Sequence, residues 1–369
     1  MSHQSNDRRR INTAGKKSSE PVKTFSIGFE EQDFSELKYA RRVAEHVGAE
    51  YNEFIVRPNA MEVLPTLVDH YGEPYADSSA IPTYYVSKET RQHVTVALNG
   101  DGGDESFAGY ERYMAMEVAE IYHRLPKALR SVFIEKPINL LPTSDRRKDR
   151  IRDVQRFLLS SNQPRAERYF RWMSTAFKVN AKNEIYTREF TETVAGNRPS
   201  HVLEQWFARA NGLGILDSTL LADQMTYLPN DLLVKVDIAS MANSLEARSP
   251  FLDHKLIEFA ASLPENLKMR RFQTKYLLKK VAARLVPKDV IYRQKMGFGV
   301  PIGKWFRGEM KDFVNEVLLS EKAMSRGITN PDIVKRYIHQ HQTGELDHTH
   351  QIWSLLMLEL WFQRFIDSK

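Results

Sequence analysis

The chain has 369 residues, 42% hydrophobic, 27% charged and 11% aromatic, with 17 Gly and 16 Pro, which excludes a collagenous, low-complexity or wholly disordered protein. It contains no cysteine, so disulfides, thiolate metal sites, iron–sulfur clusters and a cysteine nucleophile are excluded, and a reduced, cytoplasmic setting is expected. The formal net charge is +6, yet Arg8, Arg9, Arg10, Lys16 and Lys17 against Asp7 and Glu20 put half of that surplus in the first 20 residues, and no nucleic-acid motif accompanies it.

Residues 1–20 have no periodicity and read as a disordered leader. Strand-like alternation follows in Val22–Phe29, where Phe25, Ile27 and Phe29 share one face. Asp33 and Glu36 then have capping-box spacing, and Leu37, Ala40, Ala44 and Val47 recur at helical intervals until Gly48. Tyr51–Val56 and Val94–Leu98 read as further strands, with helical patterns around 59–71 and 80–92 between them. Strands alternating with helices predict a parallel sheet covered by helices, and such sheets bind ligands beyond the carboxyl ends of their strands.

From Asp104 the pattern is helical, with Tyr110, Met114, Val118 and Ile121 as one stripe and Pro126 closing the run. The stretch 126–150 holds Pro137, Pro142 and the mixed cluster Arg146, Arg147, Lys148, Arg150 and Arg152 among Asp145, Asp149 and Asp153, so it is the expected boundary. Beyond it only helix-like segments are found, ending in a core stripe of Trp353, Leu356, Met357, Leu360 and Trp361. The predicted organisation is therefore a leader (1–20), an α/β part (21–125) and an all-helical part (126–369). No window approaches the roughly 18 apolar residues of a membrane span, and no signal peptide is visible.

The densest feature is Leu98-Asn99-Gly100-Asp101-Gly102-Gly103-Asp104-Glu105, directly after a strand and opening a helix. Three glycines in four positions allow positive φ and close approach of backbone to a ligand. Two readings stand equal on the string alone: a capped turn, since acids favour a helix N-terminus, and a metal–phosphate site in which carboxylates hold Mg²⁺ against phosphate oxygens.

With this string in place, residues 20–369 resemble the synthetase domain of glutamine-dependent asparagine synthetases. The resemblance rests on Val22 to Phe29, on Asn99 to Glu105 followed by Ala108-Gly109-Tyr110, on the block from Leu228-Pro229-Asn230 through Leu245 to Asp253, and on Tyr292-Arg293-Gln294-Lys295. It implies an α/β fold of the pyrophosphate-loop ATPase type with a helical extension, and ATP and Mg²⁺ as cofactors. It also implies a ligase reaction: the side-chain carboxylate of aspartate, or a similar small carboxylate, attacks the α-phosphate to give an acyl-AMP and pyrophosphate, and ammonia then displaces AMP. By the same resemblance Ile27 and Gly28 pack against adenine, Asn99 and Gly100 contact the nucleotide, and Asp104 holds Mg²⁺ and pyrophosphate. Asp101 stands where better-known members have Glu and is the expected proton acceptor, one methylene shorter. Lys295 is expected to neutralise the phosphates, its bland alternative being a surface lysine beside Arg293.

Two parts of the family are missing from the sequence. There is no N-terminal cysteine nucleophile, so ammonia has to come from a glutaminase not encoded here. The Ser-Gly-Gly-x-Asp-Ser pyrophosphate loop is also absent, and Gly15-Lys16-Lys17-Ser18 lacks the earlier glycine and the preceding strand of a phosphate loop. In the family that loop follows a central strand lying between those matching 22–29 and 94–98. Its absence predicts two unpaired strand edges that meet or stay exposed, and an isolated chain that binds ATP poorly. A ligase acting on another carboxylate and a catalytically silent fragment are the alternatives.

Four further features are open on sequence. Asp77-Ser78-Ser79 lines an acceptor pocket or caps a helix. Lys235 and Asp237 lie in an apolar run where a buried charge needs a partner. Glu246 and Arg248 pair locally or support an active-site lid. His339, His341, His348 and His350 read as helix ends around a Gly344 turn in preference to a metal site.

Overall fold

The computed structural model describes residues 20–29, 36–56, 60–141, 150–174, 176–177, 184–293 and 299–368. The leader with Gly15-Lys16-Lys17-Ser18, Asp33 of the expected capping box, the charged cluster at 145–149 and Lys295 lie outside the described residues.

Among the described residues, strands form two separate parallel pairs inside a mostly helical molecule. In the first, β1 (Lys23–Gly28) pairs with β2 (Glu50–Ile55), with Lys23 opposite Glu50 and Gly28 opposite Ile55. The crossover is helix α1 (Leu37–Val47), ended by Gly48 at φ 69° as its spacing predicts. This helix starts at Leu37, so Glu36 is its N-cap and makes no side-chain cap bond; its carboxylate pairs instead with Arg293.

Helices α2 (Ala60–Tyr71) and α3 (Ala80–Arg91) match the predicted patterns and lead to β3 (Val96–Leu98). The second pair is β3 with β4 (Glu246–Arg248), Val96 opposite Glu246 and Leu98 opposite Arg248. β4 corrects the expectation that only helices follow residue 126. No strand joins the two pairs among the described residues, and Val96, Leu98 and Ile55 remain exposed, Leu98 at 70%.

After β3 come the short helix α4 (Gly103–Phe107) and α5 (Glu111–His123). The buried stripe of α5 is Tyr113, Met116, Ala119 and Tyr122, whereas Ile121 is exposed, so the predicted stripe is shifted around the helix. The two tyrosines are able to face inward because their hydroxyls donate to Asp223 (2.5 Å) and Glu135 (2.5 Å). Tyr113 packs with Tyr169 and Leu216 in a second core beside α7 (Ile215–Met225), counting α6 as Arg165–Met173.

The main core joins Ile27 and Phe29 of the strand layer to α2 and to the C-terminal helices α9 (Ile302–Arg307), α10 (Pro331–Thr343) and α11 (Thr349–Phe365). Trp353, Leu356 and Met357 are 1%, 0% and 2% exposed, as the apolar stripe predicts. Helix α8 (Leu233–Met241) lies against α3 and precedes β4.

The histidines occupy the α10–α11 turn at Gly344. His341 is fully buried, its Nε2 2.9 Å from the Gly303 carbonyl and its Nδ1 accepting from the His348 N–H. His348 stacks on Tyr337 at 4.2 Å, and His339 and His350 are exposed.

Candidate active site

The glycine-rich string forms one turn at the carboxyl end of β3. The Asn99 N–H donates to the Arg248 carbonyl (2.9 Å), prolonging the pairing with β4 by one residue. The Asn99 side-chain oxygen accepts from the Ser249 hydroxyl and from the Asp101 N–H (3.4 Å). Asn99 therefore ties the turn to the segment after β4. Gly102 adopts φ 84°, and a Cβ there would lie 2.2 Å from Leu252 Cδ2, so only glycine fits.

The turn brings Asn99, Gly100, Asp101 and Asp104 together. Asp101 is half-buried, and burial followed by the neighbouring Asp104 charge raises its carboxyl above the ordinary range, while Lys235 pulls the other way. A raised pKa makes the carboxylate a stronger base than one in water. Asp104 lies in the first turn of α4 and accepts from Lys275 Nζ at 3.0 Å. Lys275 itself has φ 52°, a left-handed conformation costly for a side chain with a Cβ.

A buried polar group lies beside the turn. Lys235 on α8, 9% exposed, donates to Asp77 Oδ2 (2.8 Å) and to the Ser79 hydroxyl (2.8 Å). Ser79 sits at the N-cap of α3 but makes no side-chain cap bond; its hydroxyl serves Asp77 instead. The Lys235 ammonium, its hydrogen bond and the Ser79 bonds hold the Asp77 carboxyl below its ordinary range against the opposing effect of burial. Asp231 accepts from the Tyr75 hydroxyl (2.7 Å), and burial, then Asp77, raises its carboxyl. Asp77, Asp101 and Asp231 thus share the field of Lys235.

Ile27 and Gly28 are buried at the end of β1, in the other strand pair, and no hydrogen-bonded strand connects them to the Asn99 turn. Two residues before Lys295, Arg293 pairs with Glu36 and lies 4.7 Å over the Tyr39 ring, which ties this segment to the start of α1. Glu246 and Arg248 pair with each other at 2.7 Å on exposed β4, the local pair that was one of their two alternatives. Asp237 is exposed. An open groove of about 700 Å³, lined by Leu98, Asn99, Leu233, Asp237, Ser249 and neighbours, runs along the β3–β4 side of the turn.

Sequence reasoning missed the Lys275–Asp104 and Tyr75–Asp231 contacts, for which no local pattern exists. Lys235 carried a signal, a charge in an apolar run, but its partner lies 158 residues away.

The family model described as asparagine synthase matches residues 11–363. The chain is 32% identical over 349 residues to asparagine synthetase [glutamine-hydrolyzing] 1 of Bacillus subtilis (strain 168), covering 94% of this chain and 53% of that protein. It is 33% identical over 352 residues to a putative asparagine synthetase [glutamine-hydrolyzing] of Mycobacterium tuberculosis (strain H37Rv), covering 93% and 51%. Amidase chyE of Penicillium rubens is 22% identical, covering 84% and 48%. The chain spans about half the length of the curated relatives it matches. With the match running from before β1 into α11, this chain belongs to the asparagine synthase family.

Proposed function

We propose that the chain is an ATP-dependent amide ligase module that activates a small carboxylate, aspartate in the first instance, as an acyl-adenylate and passes it to ammonia. The observation that carries this reading is the turn at 99–104, which gathers a half-buried carboxylate of raised pKa and a lysine-paired carboxylate at the end of one strand. Family membership supports the same chemistry. In this reading the fold is the pyrophosphate-loop ATPase type, with Ile27, Gly28, Asn99 and Gly100 contacting the nucleotide.

In the first step the acceptor carboxylate oxygen forms a bond to the α-phosphorus and the bond to the pyrophosphate oxygen breaks. Lys295 and Lys275 supply positive charge for the leaving pyrophosphate. In the second step the nitrogen of ammonia bonds to the acyl carbon, AMP leaves, and the nitrogen sheds a proton, which Asp101 accepts. The Lys235, Asp77 and Asp231 group lines the acceptor side.

Magnesium is part of the proposal. Among the described residues no three His, Asp or Glu side chains converge on one point. Mg²⁺ is commonly bound by one or two carboxylates together with substrate phosphates and water, and Asp104 fits the role of that carboxylate. Its chemistry when bound is to neutralise charge on the phosphates.

The test is aspartate-dependent exchange of pyrophosphate into ATP, followed by ammonia-dependent release of AMP. Activity lost in Asp101→Asn at the second step, with exchange retained, supports the assignment; no exchange with any small carboxylate overturns it. A second reading, a ligase fold silent by itself, draws on the two strand pairs that no strand joins among the described residues and on the exposed Val96, Leu98 and Ile55. It predicts a folded chain in which ATP causes no thermal shift.

A further inference from the structure

We propose that Tyr110 is a positioning residue for Asp104: it clamps the turn between α4 and α5 so that the bare backbone of Gly109 forms the seat on which the Asp104 carboxylate rests. The inference rests on the role proposed above for Asp104 at the pyrophosphate.

The seat is defined by what it excludes. A Cβ on Gly109 would fall 1.9 Å from Asp104 Oδ1 and 2.4 Å from Lys275 Cε, so the carboxylate and the lysine stem both lie directly on the glycine Cα. The Gly109 N–H also donates to the Asp104 carbonyl at 2.8 Å. The residue before it, Ala108, is fully buried and held at φ 57°, the left-handed region in which a residue with a Cβ is strained. A strained turn keeps its shape only if its flank is fixed.

Tyr110 supplies that fixation from two directions. Its hydroxyl donates to Glu105 Oε1 at 2.6 Å, and Glu105, 1% exposed, is itself tied to α7 because its carbonyl accepts from Gln224 Nε2 at 3.0 Å. Its ring lies under the Arg112 guanidinium, 3.9 Å from the centroid. Arg112 in turn donates to fully buried Asp223 and to the Tyr169 hydroxyl, both at 2.7 Å. Glu105 follows Asp104 directly, so the phenol bond spans the turn and closes it on α4. Without the hydroxyl, Ala108 relaxes out of the left-handed region and Gly109 moves from beneath the carboxylate.

The hydroxyl is removed alone by Tyr110→Phe, which keeps the ring beneath Arg112. Water-proton relaxation with Mn²⁺ and pyrophosphate reads the pocket without any turnover: Tyr110→Phe is expected to weaken uptake about tenfold, and Gly109→Ala, which spoils the seat but leaves the clamp, to do the same. Uptake by folded Tyr110→Phe equal to wild type overturns the proposal, even if its thermal stability falls. Where wild type itself takes up no Mn²⁺–pyrophosphate, it is the function reading that fails, and positioning is then decided in protein labelled with [γ-¹³C]aspartate. There the Asp104 carboxyl resonance, assigned by its loss in Asp104→Asn, is expected to move in Tyr110→Phe; an unmoved resonance overturns the proposal. Should Tyr110→Phe not fold, Glu105→Gln, which weakens the same bond, is read by the same two criteria.

Discussion

Replacing Lys235 with methionine removes the ammonium that, among the described residues, pairs with the Asp77 carboxylate, and leaves the stem volume largely filled. Lys235 is 9% exposed, and the Asp77 side chain keeps 23% of its surface, so the pair is mostly desolvated. Breaking a buried pair by removing one partner costs about 3–5 kcal/mol. The Ser79 N–H (2.9 Å) and hydroxyl still reach Asp77, which puts the expected loss near the lower end, about 3 kcal/mol, or roughly a hundredfold in the unfolding equilibrium. Urea unfolding of wild type, Lys235→Met, Asp77→Asn and the double variant gives the coupling, expected at about 2 kcal/mol or more because the double variant no longer buries an unpaired charge. The pH dependence adds a second constraint. In wild type the folded pKa of Asp77 lies below its unfolded value, so the stabilisation is present above about pH 4 and is lost as pH falls through the folded value. In Lys235→Met the ammonium is gone and burial is opposed by the Ser79 bonds, so the folded pKa rises relative to wild type and the variant's deficit shrinks as pH falls through it. Coupling under about 0.5 kcal/mol, or a deficit that stays constant from about pH 7 to well below pH 4, would refute the account.

Gly102→Ala combines an unfavourable left-handed φ of 84° with a Cβ placed 2.2 Å from Leu252 Cδ2, so a loss of about 2–4 kcal/mol is expected in thermal or urea unfolding, together with loss of any exchange activity. A stability within about 0.5 kcal/mol of wild type would show that the turn is free to rearrange. His341 gives the remaining pH effect. Burial first, then the Arg307 charge, lowers its folded pKa below 6.5, while the Gly303 carbonyl and Asp347 oppose the shift, and His348 is lowered too. The unfolded chain then binds more protons than the folded one below about pH 6.5, so stability falls as pH drops through that value toward the folded pKa. The urea midpoint is expected to fall between pH 7.5 and pH 5.5, and to fall less in His341→Asn; equal pH slopes would assign the effect to other groups.

The parallel pair β1–β2 and helices α1 to α3 were legible because each carries its own period: Phe25, Ile27 and Phe29 alternate, and α1 runs from its apolar residues to Gly48. β4 was not, and the reason is local. Glu246-Ala247-Arg248 is three residues long, two of them charged, and becomes a strand only because β3 offers it a parallel edge. The face of α5 was misjudged for a different reason. Tyr113 and Tyr122 count as amphipathic in a sequence, and only partners elsewhere, Asp223 and Glu135, let their hydroxyls turn inward.

The same distinction runs through the site. The turn at 99–105 announced itself because its glycines are needed for its own backbone, Gly102 above all. What aims its carboxylates is written in residues that carry no local necessity: Lys275 on Asp104, Lys235 between Asp77 and Asp101, Tyr110 on Glu105. Of these only Lys235 broke a rule visible in one dimension, by placing a charge in an apolar run. A charge inside an apolar run is therefore a readable part of the tertiary wiring, since it demands a partner before that partner is known. Asp101 shows the limit of such reading. Its identity in the turn is plain from sequence, yet its basicity depends on how far burial and Asp104 outweigh Lys235, a balance set when α8 packs beside the turn in the folded chain.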